Sequence, residues 1–277
     1  MRELTGSKAR WILPAAALLL LSVCLAAWAG AREVRIVSEP RGGEVGTEKE
    51  KKETPGGKGS STEEGTLVKH GAEKMLEKIH WLGHDCFRID ADKVIYFDPF
   101  ELKKGLVPAD VVFITHGHAD HCSPEDVKKI QKKETVIVTT SDCAGKLKGK
   151  IVTVKPGDSL TVEGFEVEVV PAYNTNKKFH PKEKGWVGFI ITLEGQRIYH
   201  AGDTDLIPEM KSIKADIAML PVSGTYVMTA EEAVEAAELI RPQVAIPMHY
   251  GSIVGDERDA EIFKKKCSVP VKILERE

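Results

Sequence analysis

Apolar residues in the C-terminal part of this chain fall in short runs separated by Gly, Pro, Asp and Asn, a pattern of strands joined by tight turns. Strands are predicted at Glu77–Leu82, Cys86–Asp90, Val94–Phe97, Val111–Thr115 and Val136–Thr139. Further strands follow at Ile151–Val154, Ser159–Val162 and Phe165–Val170. After them come a hairpin of Val187–Leu193 and Arg197–His200, and strands Ile217–Leu220, Val244–Pro247 and Val271–Glu275. Helices interrupt the series. Ser123 is a good N-cap, Pro124 suits the first helical position, and Asp126 puts negative charge at the positive end of that helix. A short helix is expected around Cys143–Leu147, an amphipathic one over Thr229–Ile240 ending before Pro242, and a last one over Glu257–Lys266. Two sets of strands with interspersed helices predict an α/β fold of the αββα sandwich kind.

The N-terminal part reads differently. Arg2, Lys8 and Arg10 precede an uncharged apolar run from Trp11 to Ala31, closing on Ala27-Trp28-Ala29, a small-x-small pattern. Roughly 20 apolar residues span a bilayer, so residues 1–31 are expected to be a cleaved signal peptide or a retained membrane anchor. The domain would then be exported or membrane-anchored. Val23 is bulky for the residue before a lipidated Cys24, which disfavours a lipoprotein site. Residues 32–75 hold eight glycines, mixed charges and no aromatic residue, the composition of a flexible, disordered linker. The folded domain is therefore expected at 76–277.

Hydrophobic content of 42% is ample for a core in that domain. The domain carries 27 basic and 32 acidic side chains, a mildly acidic balance that disfavours nucleic acid as a partner. Beyond Cys24 lie Cys86, Cys122, Cys143 and Cys267, with no CxxC pair to suggest a structural zinc site. Cys122 directly follows His121, but a small buried filler is the simpler reading.

Chemistry concentrates in Thr115-His116-Gly117-His118-Ala119-Asp120-His121, between an apolar strand and a capped helix. In extended backbone His116 and His118 share a side, so two imidazoles can meet one ion. Asp120 and His121 follow across a turn and can face a second ion. Zinc takes imidazole nitrogen and carboxylate oxygen at about 2.0–2.2 Å. Asp203, in His200-Ala201-Gly202-Asp203-Thr204, and His249, in Pro247-Met248-His249-Tyr250-Gly251, each follow a predicted strand and are the candidates to complete the site.

These segments resemble the metallo-β-lactamase superfamily over about residues 80 to 251. HGHADH is similar to its HxHxDH, AGDTD to its bridging-aspartate segment and PMHYG to its last histidine segment. Trp81-Leu82-Gly83-His84, Asp98-Pro99-Phe100 and Met228-Thr229-Ala230-Glu231-Glu232-Ala233 resemble the branch of ascorbate-6-phosphate lactonase and N-acylphosphatidylethanolamine phospholipase D. The resemblance implies a metallo-β-lactamase-like fold and a two-metal site. His116 and His118 would hold the first ion, Asp120, His121 and His249 the second, and Asp203 would bridge them. The family's usual further histidine after the strand ending at Val170 is missing, since the chain reads Pro171-Ala172-Tyr173-Asn174-Thr175-Asn176. Asn174 offers a carbonyl oxygen, a poorer zinc ligand than imidazole. His180 is the other candidate, as a ligand or as a contact to ligand or substrate. His84 and His200 stand as orienting, substrate-contacting or core histidines.

The expected function is a metal-dependent hydrolase using a metal-bound hydroxide on a small ester, lactone or phosphodiester, with Asp120 orienting the nucleophile or accepting its proton. One or two divalent ions are expected, zinc first, with manganese or iron as alternatives. The partner is a small-molecule substrate, not nucleic acid, plus a membrane if the N-terminal segment is retained. The competing reading is a catalytically degenerate, tethered metal-binding or partner-binding module. A di-iron redox role would need a flavin-binding partner domain that this sequence does not show.

Overall fold

The computed structural model describes Arg35–Val37 and residues 71–277. The apolar N-terminal run and most of the expected linker lie outside the described residues. Among the described residues, no helix is long and apolar enough to cross a membrane.

Two mixed sheets carry the fold. One sheet holds β2 (Ile79–Gly83), β3 (Cys86–Asp90), β4 (Val94–Phe97), β5 (Ala109–Ile114), β6 (Gln131–Thr139) and β7 (Lys150–Thr153), in that order. Its first three strands pair antiparallel and its last four pair parallel. The other sheet runs β1 (Arg35–Val37), β8 (Ser159–Val162), β9 (Phe165–Pro171), β10 (Val187–Leu193), β11 (Gln196–His200), β12 (Ile217–Pro221) and β13 (Val244–Met248). Here β11, β12 and β13 run parallel, which points their C-terminal ends the same way.

Period-two alternation sorts the first sheet into two faces. Phe87, Ile89, Ile95, Phe97, Val111, Phe113, Val136 and Val138 enter the large core shared with β9–β13. Their neighbours Cys86, Tyr96, Val112, Ile114 and Ile137 face a smaller core with Val127, Ile130 and Leu147. That second core is roofed by α2 (Pro124–Ile130) and α3 (Ser141–Ala144). On the other sheet, α4 (Ala230–Ile240) buries Ala233, Ala236, Ala237 and Ile240, and α5 (Glu257–Lys266) buries Ala260 and Phe263. Helices outside and two sheets within make the expected αββα sandwich. Aromatic rings join the layers: Phe113 lies 5.1 Å from Phe97 in its own sheet and 4.9 Å from Phe189 in the other.

Capping follows the sequence signals. Ser123 Oγ accepts from the Asp126 N–H, and Thr229 and Glu232 form a reciprocal capping box. Three expectations need correction. Val271–Glu275 is not a ladder strand: it makes one bridge from Val271 to Ala245 of β13, and Arg276 makes another to Trp81 of β2. The segment spans the edges of both sheets and so extends neither. Within the expected linker, Arg35–Val37 pairs antiparallel with Ser159–Thr161 as β1. Residues 71–76 form helix α1, where Ala72 and Met75 are buried against the core. The domain thus begins before residue 76, because Met75 and Ala72 supply the apolar area that the remainder of that segment lacks.

Candidate metal centre

Loops from both sheets meet at one end of the sandwich. His116 to His121 follow β5, Asp203 follows β11, and His249 is the first residue after β13. Parallel pairing across β11, β12 and β13 places the last two on the same side. The sheets are tied together at this point, since the Val187 N–H donates to Thr115 O at 3.2 Å and the His249 N–H to His84 O at 3.2 Å.

Asp203 is the hub. Its Oδ2 lies 3.1 Å from His180 Nε2, 3.2 Å from His249 Nε2 and 3.9 Å from His116 Nε2, and its Oδ1 lies 3.5 Å from His121 Nε2. His116 Nε2 is 3.1 Å from His118 Nδ1. Donor atoms of His116, His118 and His180 lie within 4.8 Å of one another, as do those of His116, His121 and Asp203. Asp120 Oδ2 sits 3.7 Å from His121 Nε2 and 3.3 Å from His84 Nε2. All six residues expected as ligands are therefore gathered, and His180 joins them.

Asn174 has a different place. Its Nδ2 donates to Asp205 Oδ1 and to Tyr226 O, while its Oδ1 accepts from the His180 backbone N–H at 2.9 Å. The amide is used up in fixing the loop that presents His180. His180 Nδ1 in turn lies 3.1 Å from Tyr226 O, which directs Nε2 toward Asp203. His200 turns away: it stacks on Phe97 at 4.8 Å, and its Nε2 donates to Asp85 O at 2.9 Å. It is a core histidine that binds the end of β11 to the β2–β3 turn.

Several supporting residues escaped the sequence reading. Asp98, wholly buried, accepts from Thr115 N–H, Thr115 Oγ1–H and His121 Nδ1–H at 2.8, 2.7 and 2.8 Å. In the neutral ring this makes Nε2 the unprotonated nitrogen, and it is aimed at the site. Ser223 Oγ lies 2.9 Å from His249 Nδ1 and does the same for Nε2 there. The Trp186 ring lies 4.9 Å from His116 and 4.7 Å from His118. The Asp98-Pro99-Phe100 motif was the available signal for Asp98; Trp186 and Ser223 carry none.

Electrostatics follow from burial. Loss of water drives the His116 pKa well below its usual value, with His121 adding repulsion, and burial likewise lowers His118 and His84. For His121 burial opposes charge, but Asp203 and Asp98 outweigh it and raise the pKa. For Asp203 burial is outweighed by His249 and His121, which hold it well down as an anion. Among the described residues, the buried nitrogens His121 Nε2 and His180 Nε2, and Asp203 Oδ1, have no hydrogen-bond partner. Buried polar atoms are nearly always partnered, so inward-facing donors left bare fit a cation among them.

Residues 78–249 match the profile of the Beta-lactamase superfamily domain. The chain belongs to the beta-lactamase superfamily. Within this superfamily it groups with the UPF0173 metal-dependent hydrolases. It is 37% identical over 201 residues to one from Methanoculleus marisnigri, covering 68% of this chain and 87% of that protein. It is 35% identical over 202 residues to one from Thermoplasma acidophilum, covering 68% and 89%. A solved structure from Parabacteroides distasonis matches with a TM-score of 0.64 at 35% identity, over 72% of this chain and 93% of that one. Igni18, a metallo hydrolase from Ignicoccus hospitalis, matches with a TM-score of 0.60 at 27% identity, over 71% and 94%.

Proposed function

We propose that the domain is a hydrolase holding two divalent ions. His116, His118 and His180 would hold the first, Asp120, His121 and His249 the second, and Asp203 lies within reach of both sets. The observation that carries this reading is the approach of four imidazoles to the single carboxylate of Asp203, at 3.1 to 3.9 Å. Membership of a family of metal-dependent hydrolases supports it. The placement of His180 Nε2 3.1 Å from Asp203, where it can serve in place of the missing histidine, favours this reading over the degenerate module.

Divalent ions would supply Lewis acidity at such a site, lowering the pKa of bound water to about 7 and polarising the oxygen under attack. Asp98, Asn174 and Ser223 hold the imidazoles in one orientation, so little reorganisation accompanies the reaction. Asp120, a quarter exposed, marks the open side of the cluster. Burial would raise its pKa, but the bond to His84 and the charge on His121 bring it to about 2. A carboxylate this acidic suits ligation and orientation of a water more than storage of its proton.

Small esters, lactones and phosphodiesters are the substrates this chemistry suits. An acidic domain repels polyanions, which favours a small molecule over nucleic acid. Phe179, 53% exposed, packs edge-on against Tyr226 beside His180 and offers an apolar contact for a substrate substituent. Zinc suits the imidazole-rich first position. The basic and apolar N-terminal pattern supports export or membrane tethering of the domain; recovery of the whole chain from the soluble cytosolic fraction would oppose that.

The test is metal analysis of the purified chain with a panel of generic lactone, phosphodiester and β-lactam substrates. Asp120→Ala is expected to abolish turnover of whichever substrate is cleaved while leaving the fold intact. Near-normal turnover by metal-depleted Asp120→Ala would overturn the proposal.

A further inference from the structure

The turn between β2 and β3 holds two residues that the two-ion reading leaves unused. Gly83 pairs with Cys86, so His84 and Asp85 form a two-residue hairpin turn. Such turns favour Gly, Asn or Asp where φ is positive, because a Cβ is crowded there. Here His84 occupies φ 52. Both side chains point inward: His84 is 1% exposed and Asp85 is fully buried. A polar, strained turn driven into the interior needs a compensating interaction.

Among the described residues that compensation is incomplete: His84 Nε2 meets Asp120 Oδ2 at 3.3 Å, and the other inward-facing polar atoms are left over. Among the described residues, neither carboxylate oxygen of Asp85 has a hydrogen-bond partner, and His84 Nδ1 has none. The nearest imidazole nitrogen recorded beside Asp85 is His121 Nδ1, 3.8 Å from Oδ2, and that nitrogen already donates to Asp98. Yet donor atoms from His84, Asp85, His121 and His249 all lie within 4.8 Å of one another. Donors about 2.0–2.2 Å from a shared centre are separated by no more than roughly 4.4 Å, so this set needs only a small contraction to surround one cation. The His84 ring centroid is 4.3 Å from that of His249 and 5.4 Å from that of His121.

We infer that His84 and Asp85 are ligands of the second metal position, joining His121 and His249 there. This rests on the two-ion reading above. With Asp120 and Asp203 also at hand, the position offers more nitrogen and oxygen donors than a four-coordinate ion takes up. It therefore favours a first-row divalent ion of higher coordination number, such as manganese or iron, over tetrahedral zinc. The two positions differ in kind: three imidazoles at the first, a mixed and crowded set at the second.

The experiment strips the full chain with a chelator, reloads it with cobalt(II), and counts ions per chain while recording the visible absorption. Wild type is expected to take up about two ions, the second adding only the weak bands of a centre above four-coordinate. Asp85→Asn and His84→Gln are each expected to keep about one ion under a chelator challenge that leaves wild type with two, with first-position bands unchanged and far-ultraviolet circular dichroism like wild type. Asp85→Asn is the sharper variant. Were Asp85 a neutral acid bonded to Asp203, the amide would replace its hydrogen bond and two ions would remain. Two ions in both variants with the wild-type spectrum would overturn the inference and leave the two-ion reading standing. Loss of both ions from either variant would also overturn it, by tying these residues to the first position. A wild-type chain that never takes a second ion would remove the two-ion reading itself.

Discussion

Asn174 Oδ1 accepts the backbone N–H of His180 at 2.9 Å, and this bond converts a loop histidine into a fixed donor facing Asp203. The residue standing where a ligand was sought is thus the support of the ligand six positions later.

Different losses should follow from the two residues. His180→Ala removes an imidazole from the first position and is expected to lower bound metal by about one ion per chain. Asn174→Ala leaves the donor and removes its anchor, so affinity should fall about 10–100-fold with stoichiometry kept. Chelator competition titrations of both variants check this; equal behaviour of the two would contradict it.

Asp98 serves the second position in the same manner, with three bonds to Thr115 and His121. Asp98→Ala strands those buried groups, at a cost of about 1–3 kcal/mol each where no water replaces the bond. The variant should show a lowered urea midpoint and, once loaded, metal affinity reduced about 10–100-fold. An unchanged midpoint would mean that water takes over the role of the carboxylate.

Acid should destabilise the metal-free protein. Burial lowers the pKa values of His84, His116, His118 and His200 from 6.5. The unfolded chain therefore binds protons that the folded chain refuses, and the stability these groups contribute above 6.5 is lost as pH falls below it. His121, raised by Asp203 and Asp98 against its burial, acts oppositely: its contribution is full below 6.5 and is lost as pH rises through its folded pKa. Asp85, whose pKa burial pushes up, acts in the same sense as His121, and four groups against these two predict a urea midpoint lower at about pH 5 than at about pH 7. A midpoint that rises on acidification would reverse this assignment.

Close backbone packing makes Gly188 sensitive. A Cβ there would lie 2.7 Å from Ala201 O and 2.8 Å from His200 O, the segment that leads into Asp203. Gly188→Ala is expected to cost about 1–3 kcal/mol, seen as a fall of several degrees in Tm. Metal affinity should weaken with it, because β11 must shift to make room. A wild-type melting curve would show that the strand yields freely.

Much of this was legible in the chain itself. Short apolar runs with clear turn residues at their ends placed β3, β4, β8 and β10 at their observed bounds, and helical periodicity placed α5. Motif spacing led to His116, His118, Asp120, His121, Asp203 and His249. Residues whose role comes from tertiary contact were not legible: Asp85 and Ser223 meet their histidines only after the sheets assemble, and the choice between the candidates Asn174 and His180 needed the loop geometry. Val271–Glu275 was misread because an apolar segment bridging two sheet edges has the same pattern as a strand within one.

The donors stand on the ends of β5, β11 and β13, whose spacing is set by main-chain bonding within two sheets and not by the ions. Emptying the centre should therefore leave a folded vessel, unlike a zinc finger that collapses when its metal is withdrawn. Different cations can then be exchanged through one intact scaffold, and the cell's supply of each will decide which pair a given molecule carries.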